Sequence, residues 1–338
     1  MSRIFLHGCG AVSPAGWGVP ALRAALAAGL PVATQTLVRP GHAQPLTVRR
    51  VPAPNPRPAF LAHPRLRRTS PITHFAVGAA VEALGADAAR VVAGEIRLGV
   101  IYCAFAGCVA YSRRFYDEVL CEPATASPLI FPETVFNAPA SHLSTFFGTT
   151  AVNYTLVGDQ GEAVKALALA ADWLLTDRVD GCLVVAAEEA DWLTADALRL
   201  FTPDVVAGEG AGAIYLRREP AEVELAAVSE PQLFLRARGR DEAAKCLDQS
   251  LVQAESEDDL LCDGQTGTGA DVVETNVWEN WTGRRCSPKR VLGEGLGAAG
   301  AWQLVVAADA LVSGESSRAV VSVIGSNEQA VAAVLRRA

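Results

Sequence analysis

The chain has 338 residues, 50% of them hydrophobic, and a formal net charge of −8 at pH 7. That length and apolar content suffice for a large buried core, and the acidic balance argues against nucleic acid or an anionic membrane surface as the main partner. No run of about 18 uncharged apolar residues reads as a membrane span, and the opening MSRIFLHGCGAVSPAGWG is not a signal peptide, so a soluble cytoplasmic protein is expected.

In chain order, RIFLHGCGAVSP (3–14) predicts a strand ending in a turn, with a helix near 19–29. Residues 31–60, rich in Pro and polar residues, read as loop or edge structure. RLRRTSPITHFAVGAAVEALGAD (65–87) predicts a helix, and RLGVIYCAF (97–105) a buried strand. PASHLSTFFG (139–148) is a further helix and TTAVNYTLV (149–157) the next strand. The eight cysteines sit mostly in apolar runs; Cys103 and Cys108 are too far apart for a CxxC site, and reduced core thiols are expected.

An internal repeat follows. ALAADWLLTDRVDGCLVVAAE (168–188) matches VVAADALVSGESSRAVVSVIG (305–325) at a constant offset of 137, placing Asp172 on Asp309 and Leu174 on Leu311. Upstream, GDQGEAV (158–164) falls on GLGAAGA (295–301). Each copy is a glycine turn, a buried helix, a polar link and a buried strand, which predicts a duplicated α/β architecture. The halves are expected to be residues 1–218 and 219–338. GLGAAG (295–300) and GEGAGA (208–213) imitate nucleotide-binding loops, but the first follows only RVL, with no acidic residue about 20 positions on. Close packing of a helix is the reading they support.

The strand–turn–helix at 155–175 is where enzymes place nucleophiles, because the positive end of the helix lowers a thiol's pKa and stabilises anions. Its turn offers Gly158, Asp159 and Gln160, and neither Cys nor Ser.

Several stretches together resemble the β-ketoacyl-ACP synthase family of the thiolase fold. GCGAVSPAGWGVPALRAALAAG (8–29) is similar to its opening, RRTSPITHFAVGAAVEAL (67–84) to its Arg-rich first long helix, and FPETVFNAPASHLSTFFGTTAVNYTL (131–156) to the stretch before the nucleophile. GEGAGAIYL (208–216) resembles the strand closing the first half. CDGQTGTGADVVE (262–274) lines up on HGTGTxxGDxxE, and SPKRVLGEGLGAAG (287–300) on STKxxxGHxxGAAG. The resemblance implies a duplicated αβαβα layered sandwich, shortened around 190–206 and 230–260 where the family covers its substrate pocket.

It also implies that the chemistry is lost. The family's nucleophilic Cys falls on Gln160 and its two His on Asp263 and Glu294, while Lys289 and Glu274 match the family's Lys and Glu. All five histidines lie at or before residue 142. A Gln amide forms no thioester, and ionised Asp and Glu repel an enolate. Gln at the nucleophile position resembles the family's chain length factors, non-condensing partners of a Cys-bearing ketosynthase. That implies a heterodimer working with an acyl carrier protein, with no catalytic residue, cofactor or metal of its own. Phe131, Glu133, Thr134, Phe136 and Asn137 fall where the family's dimer interface reaches the partner's acyl tunnel. Arg65, Arg67 and Arg68 are candidates for meeting the acidic carrier protein. Two other readings stay open: an independent acyl-thioester enzyme using Asp263, Glu294 and Lys289, and a homodimeric acyl-binding pseudoenzyme. A Mg or Ca site from Asp159, Asp263 and Glu294 is chemically possible but not expected.

Overall fold

The computed structural model describes residues 3–235, 237–247 and 253–338. The first part of the chain forms β1 (Phe5–Ser13), β2 (Gly16–Trp17), α1 (Val19–Ala28), β3 (Gln35–Leu37), β4 (Leu46–Arg49), α2 (Pro71–Leu84) and α3 (Asp87–Val92). It continues through β5 (Leu98–Ala104), α4 (Val109–Cys121), α5 (Ala138–Phe147), β6 (Asn153–Val157) and α6 (Glu162–Leu175). There follow β7 (Gly181–Glu188), α7 (Trp192–Phe201), β8 (Ala207–Gly208) and β9 (Gly210–Arg217). The second part comprises β10 (Val223–Val228), β11 (Gln232–Leu233), α8 (Ala237–Lys245), β12 (Leu260–Cys262), α9 (Val272–Val277) and β13 (Arg284–Cys286). It ends with α10 (Pro288–Leu292), α11 (Gly297–Val312), β14 (Arg318–Ile324) and β15 (Gln329–Arg337).

The strand order shows the duplication directly. One group runs β6-β5-β7-β9-β1 and the other β13-β12-β14-β15-β10. In each, the first three strands are mutually parallel and the last two antiparallel to their neighbours. The two groups join into one continuous sheet through a short β1–β10 contact, Phe5 opposite Glu224 and Leu6 opposite Val223. The repeat lies on matching elements: α6 and α11 end at Leu175 and Val312, and β7 and β14 begin at Gly181 and Arg318, each 137 apart.

Alternation along the strands builds the layers. Ile101, Cys103, Val184, Ala186, Val321 and Val323 point into a central core with α6 and α11. Val100, Tyr102, Leu183 and Val185 face the other way, onto α2 and α5. Leu261, Val320 and Ile324 turn outward onto α8 and α9. The arrangement is the expected αβαβα sandwich. Strands β5, β7 and β14 are buried at every residue and are largely apolar, with Arg318 and Ser322 in β14 and Glu188 at the end of β7 as exceptions. The small residues of the two glycine motifs serve close packing. A Cβ on Gly300 would lie 2.3 Å from the Gln160 carbonyl oxygen, where the central helices meet, and one on Gly212 would lie 2.7 Å from the Ala301 Cβ.

Three expectations need correction. The helix expected from residue 65 starts only at Pro71; Arg65 lies in a single turn at Pro64–Leu66, and Ser70, extended before a proline, blocks continuation. Helices α4 and α7 were not foreseen. Not all thiols are in the core, since Cys121 and Cys246 are exposed. Among the described residues no helix is long and apolar enough to cross a membrane.

Candidate functional site

A cavity of about 460 Å³ lies between α7 and the loops after β12 and β14. Most of its exposed wall is apolar, from Leu198 and Phe201 of α7 together with Phe105, Val205, Leu296 and Ile324. Its polar floor is Glu274, Lys289 and Glu294. Lys289 Nζ pairs with Glu294 Oε2 at 2.8 Å, both side chains nearly buried. Glu294 is held between β8 and α11: its N–H donates to the Val206 carbonyl at 2.8 Å, its carbonyl accepts from Gly208 N–H at 2.8 Å, and Oε1 accepts from Leu296 N–H at 2.8 Å. Leu296 adopts φ +48°, a left-handed conformation costing a non-glycine residue about 1–3 kcal/mol. A tightly determined turn therefore fixes the start of α11.

Glu274 projects from α9 and is 2% exposed. A Cβ on Gly264 would lie 2.6 Å from Glu274 Oε1 and 3.5 Å from Lys289 Nζ, so the two head groups converge on the space that this glycine leaves free. Burial pushes the Glu274 carboxyl up to about 8; Asp263 and Asp271 act in the same direction and Lys289 and Arg240 against it. Asp271 is committed elsewhere, accepting from Thr266 N–H at 2.8 Å and Gly267 N–H at 2.7 Å.

Asp263 is fully buried but does not line the cavity. It accepts from Arg285 Nη2 at 2.7 Å, Gln265 N–H at 3.2 Å and the Ser287 hydroxyl. Lys289 and Glu294 meet, therefore, whereas Asp263 is neutralised by Arg285 and turned from them. The suggested three-residue acid/base cluster is not assembled.

Gln160 sits at the start of α6, 1% exposed. Its Nε2 donates to Ser326 Oγ at 2.7 Å, and its Oε1 accepts from Ser326 N–H at 3.1 Å. Ser326 lines the cavity and Gln160 does not, so the amide is committed to a neighbour. Asp159 reinforces the tie, accepting from Gly161 N–H at 3.1 Å and from Glu328 and Gln329 N–H at 3.0 and 3.2 Å. The turn before α6, which carries neither Cys nor Ser, is sewn to the loop after β14. Among the described residues no group of three or more His, Cys, Asp and Glu is placed to hold a metal ion, and Asp159, Asp263 and Glu294 each have separate partners.

The 131–137 stretch lies away from this cavity. Phe131 is 56% exposed and packs on Phe115, ring centroids 5.4 Å apart. Glu133 turns inward to His142 Nε2 at 2.9 Å, and Thr134 Oγ1 donates to the Phe131 carbonyl at 2.8 Å. Phe136 covers Gly107 and Asn137 is exposed at the start of α5. Glu133 and Thr134 are thus occupied locally, leaving Phe131, Phe136 and Asn137 as the outward-facing members. Arg65, Arg67 and Arg68 are all exposed, with no ion pair among the described residues.

Sequence reasoning missed α7, which walls the cavity from inside the 190–206 stretch regarded as shortened. Its signal was present: Asp191 accepts from Leu193 N–H at 3.1 Å and Thr194 Oγ1 from Asp191 N–H at 3.2 Å, a capping box three residues apart. Of the 230–260 stretch, residues 236 and 248–252 lie outside the described residues; Arg240, which lines the cavity, was not foreseen.

No family model matches the chain, and no curated protein matches its sequence. Its structure is similar to the ishigamide ketosynthase/chain length factor, with a TM-score of 0.82 and 20% identity over 99% of both chains. A ketosynthase in complex with its chain length factor from Xenorhabdus doucetiae has a TM-score of 0.80 and 16% identity, over 100% of this chain and 98% of that one. A type II polyketide synthase acyl-carrier protein in complex with its ketosynthase bound to the hexaketide gives a TM-score of 0.80 and 16% identity, over 100% and 99%. The chain has the thiolase-like fold of the ketosynthases and chain length factors.

Proposed function

We propose that the chain is a non-condensing, chain-length-factor-type subunit that pairs with a Cys-bearing β-ketoacyl synthase and elongates acyl chains with it on an acyl carrier protein. The product would be a polyketide, a polyene or a specialised fatty-acyl chain. The observation that carries the reading is Gln160, a buried amide with both ends bonded to Ser326 where a nucleophile would stand. No histidine lines the cavity beside it, so a developing enolate would meet Lys289 only through its ion pair with Glu294.

An open surface supports the need for a partner. Strand β6 is the last in its sheet, bonded to β5 on one side only among the described residues. Tyr154 and Val157 on it are 46% and 51% exposed. Apolar Tyr116, Leu120, Leu129 and Phe131 are exposed as well. Carrier-protein docking at Arg65, Arg67 and Arg68 is part of the proposal, their unpaired charges suiting an acidic partner.

The test is co-expression with the Cys-bearing ketosynthase encoded nearest to this gene, followed by native mass spectrometry. A one-to-one heterodimer is expected, and Asp263→Ala or Glu294→Ala should leave its condensing activity in place where the complex still assembles. A homodimer that ignores the ketosynthase would contradict the proposal.

A further inference from the structure

Two polar groups are left open on the same cavity, and together they specify a ligand. Arg240 reaches it from α8, with Nε donating to the Gly325 carbonyl at 2.8 Å and Nη2 to the Ile324 carbonyl at 3.1 Å. Among the described residues its Nη1 has no partner and no carboxylate forms an ion pair with it. Glu274 reaches the cavity from α9, and its buried Oε2 has no hydrogen-bond partner. Arg240 is half-buried and carries a guanidinium edge open to the cavity, while the buried Glu274 carboxyl without a bond carries a cost that a complementary ligand removes.

The remaining groups narrow the choice. Lys289 is held by Glu294 at 2.8 Å, and Asp271 by the N–H groups of Thr266 and Gly267. Neither is free for a head group. Arg240 and Lys289 disfavour an amine, while a neutral amide or ester leaves Arg240 without an opposite charge. A carboxylate satisfies both open groups, accepting from Arg240 Nη1 and from the protonated Glu274 carboxyl. Beyond the floor the wall is apolar, from Leu198, Phe201 and Ile324, which suits a hydrocarbon body.

We propose that this cavity binds a free aliphatic carboxylic acid as its anion, received by Arg240 and Glu274, with its chain lying along α7. The inference does not rest on the heterodimer, because every group involved belongs to this chain.

The test is calorimetry on the chain alone, with octanoate as the probe. Octanoate should bind, octanamide should bind at least about tenfold more weakly, and octylamine should not bind. These three comparisons need no variant. Above pH 8 the affinity for octanoate should fall, because an ionised Glu274 has no hydrogen to donate and repels the ligand; the charged groups acting on Glu274 are Asp263, Lys289, Arg240 and Asp271. Glu274→Gln should bind octanoate with that pH dependence removed, and Arg240→Met should lose about tenfold in affinity at pH 7. Octanamide binding as tightly as octanoate, or octanoate failing to bind at millimolar concentration, would overturn the proposal. Neither result would bear on whether the ketosynthase complex forms.

Discussion

Asp159→Ala is the sharpest probe of how the turn before α6 is held. The carboxylate is 1% exposed and accepts from three backbone N–H groups, those of Gly161, Glu328 and Gln329, at 3.0–3.2 Å. A hydrogen bond to a charged group is worth about 1.5–3 kcal/mol, and an N–H left buried without a partner costs about 1–3 kcal/mol. Water entering the vacated space recovers part of this, so the expected loss of stability is about 3–5 kcal/mol. Asp159→Asn keeps one acceptor oxygen and should lose about half as much. Urea unfolding followed by tryptophan fluorescence reads both, as a lower midpoint at unchanged slope. An Ala variant within about 1 kcal/mol of the parent would refute the reasoning, since ordinary surface substitutions already reach half of that.

Lys289→Met leaves Glu294 as an uncompensated buried charge and should cost about 3–5 kcal/mol, read by the same urea midpoint; the change would expose a weak pair if it were neutral. Stability should also fall with rising pH. Burial pushes the Glu188 and Glu274 carboxyls of the folded chain up to about 8, above the ordinary 4.5. Between those values the folded chain retains protons that the unfolded chain has released, so each carboxyl lowers stability by as much as about 1.4 kcal/mol per pH unit. Glu274→Gln should flatten part of that slope in urea midpoints taken from pH 5 to 8, and a slope unchanged by it would count against the assignment. Gln160→Cys should not create a condensing enzyme, because no histidine lines the cavity to assist decarboxylation; product analysis with malonyl- and acyl-loaded carrier protein checks this, and any condensed product would contradict it.

The sandwich was legible because duplication leaves an audible period. The apolar run Leu183–Ala187 and its counterpart Ala319–Val323, broken only by the buried Ser322, are buried on both faces, where few polar residues are tolerated. The position of Gln160 was legible too, since it lies in the turn just before a strongly patterned helix. What could not be read was the pairing of side chains from distant segments. Gln160 and Ser326 are separated by 166 positions, and no local pattern announces that the second captures the first. Asp263 looked like a partner for Glu294 because both stand at matched motif positions, but Arg285, which sits opposite Leu261 on the neighbouring strand, takes its charge. The Arg65–Arg68 segment misled for a local reason, as proline at 71 pushes Ser70 into extended backbone and starts the helix late.

The unpaired edge of β6 also bears on how much of this protein a cell can carry. Among the described residues, the N–H and C=O groups on the outer side of β6, beside exposed Tyr154 and Val157, pair with no strand, and such an edge is a template onto which another extended chain can add. At high concentration, chains left without a covering partner would pair with one another through that edge. The amount of this chain that stays dispersed when expressed alone should therefore level off as its concentration rises, and measurements on the chain by itself belong below that limit.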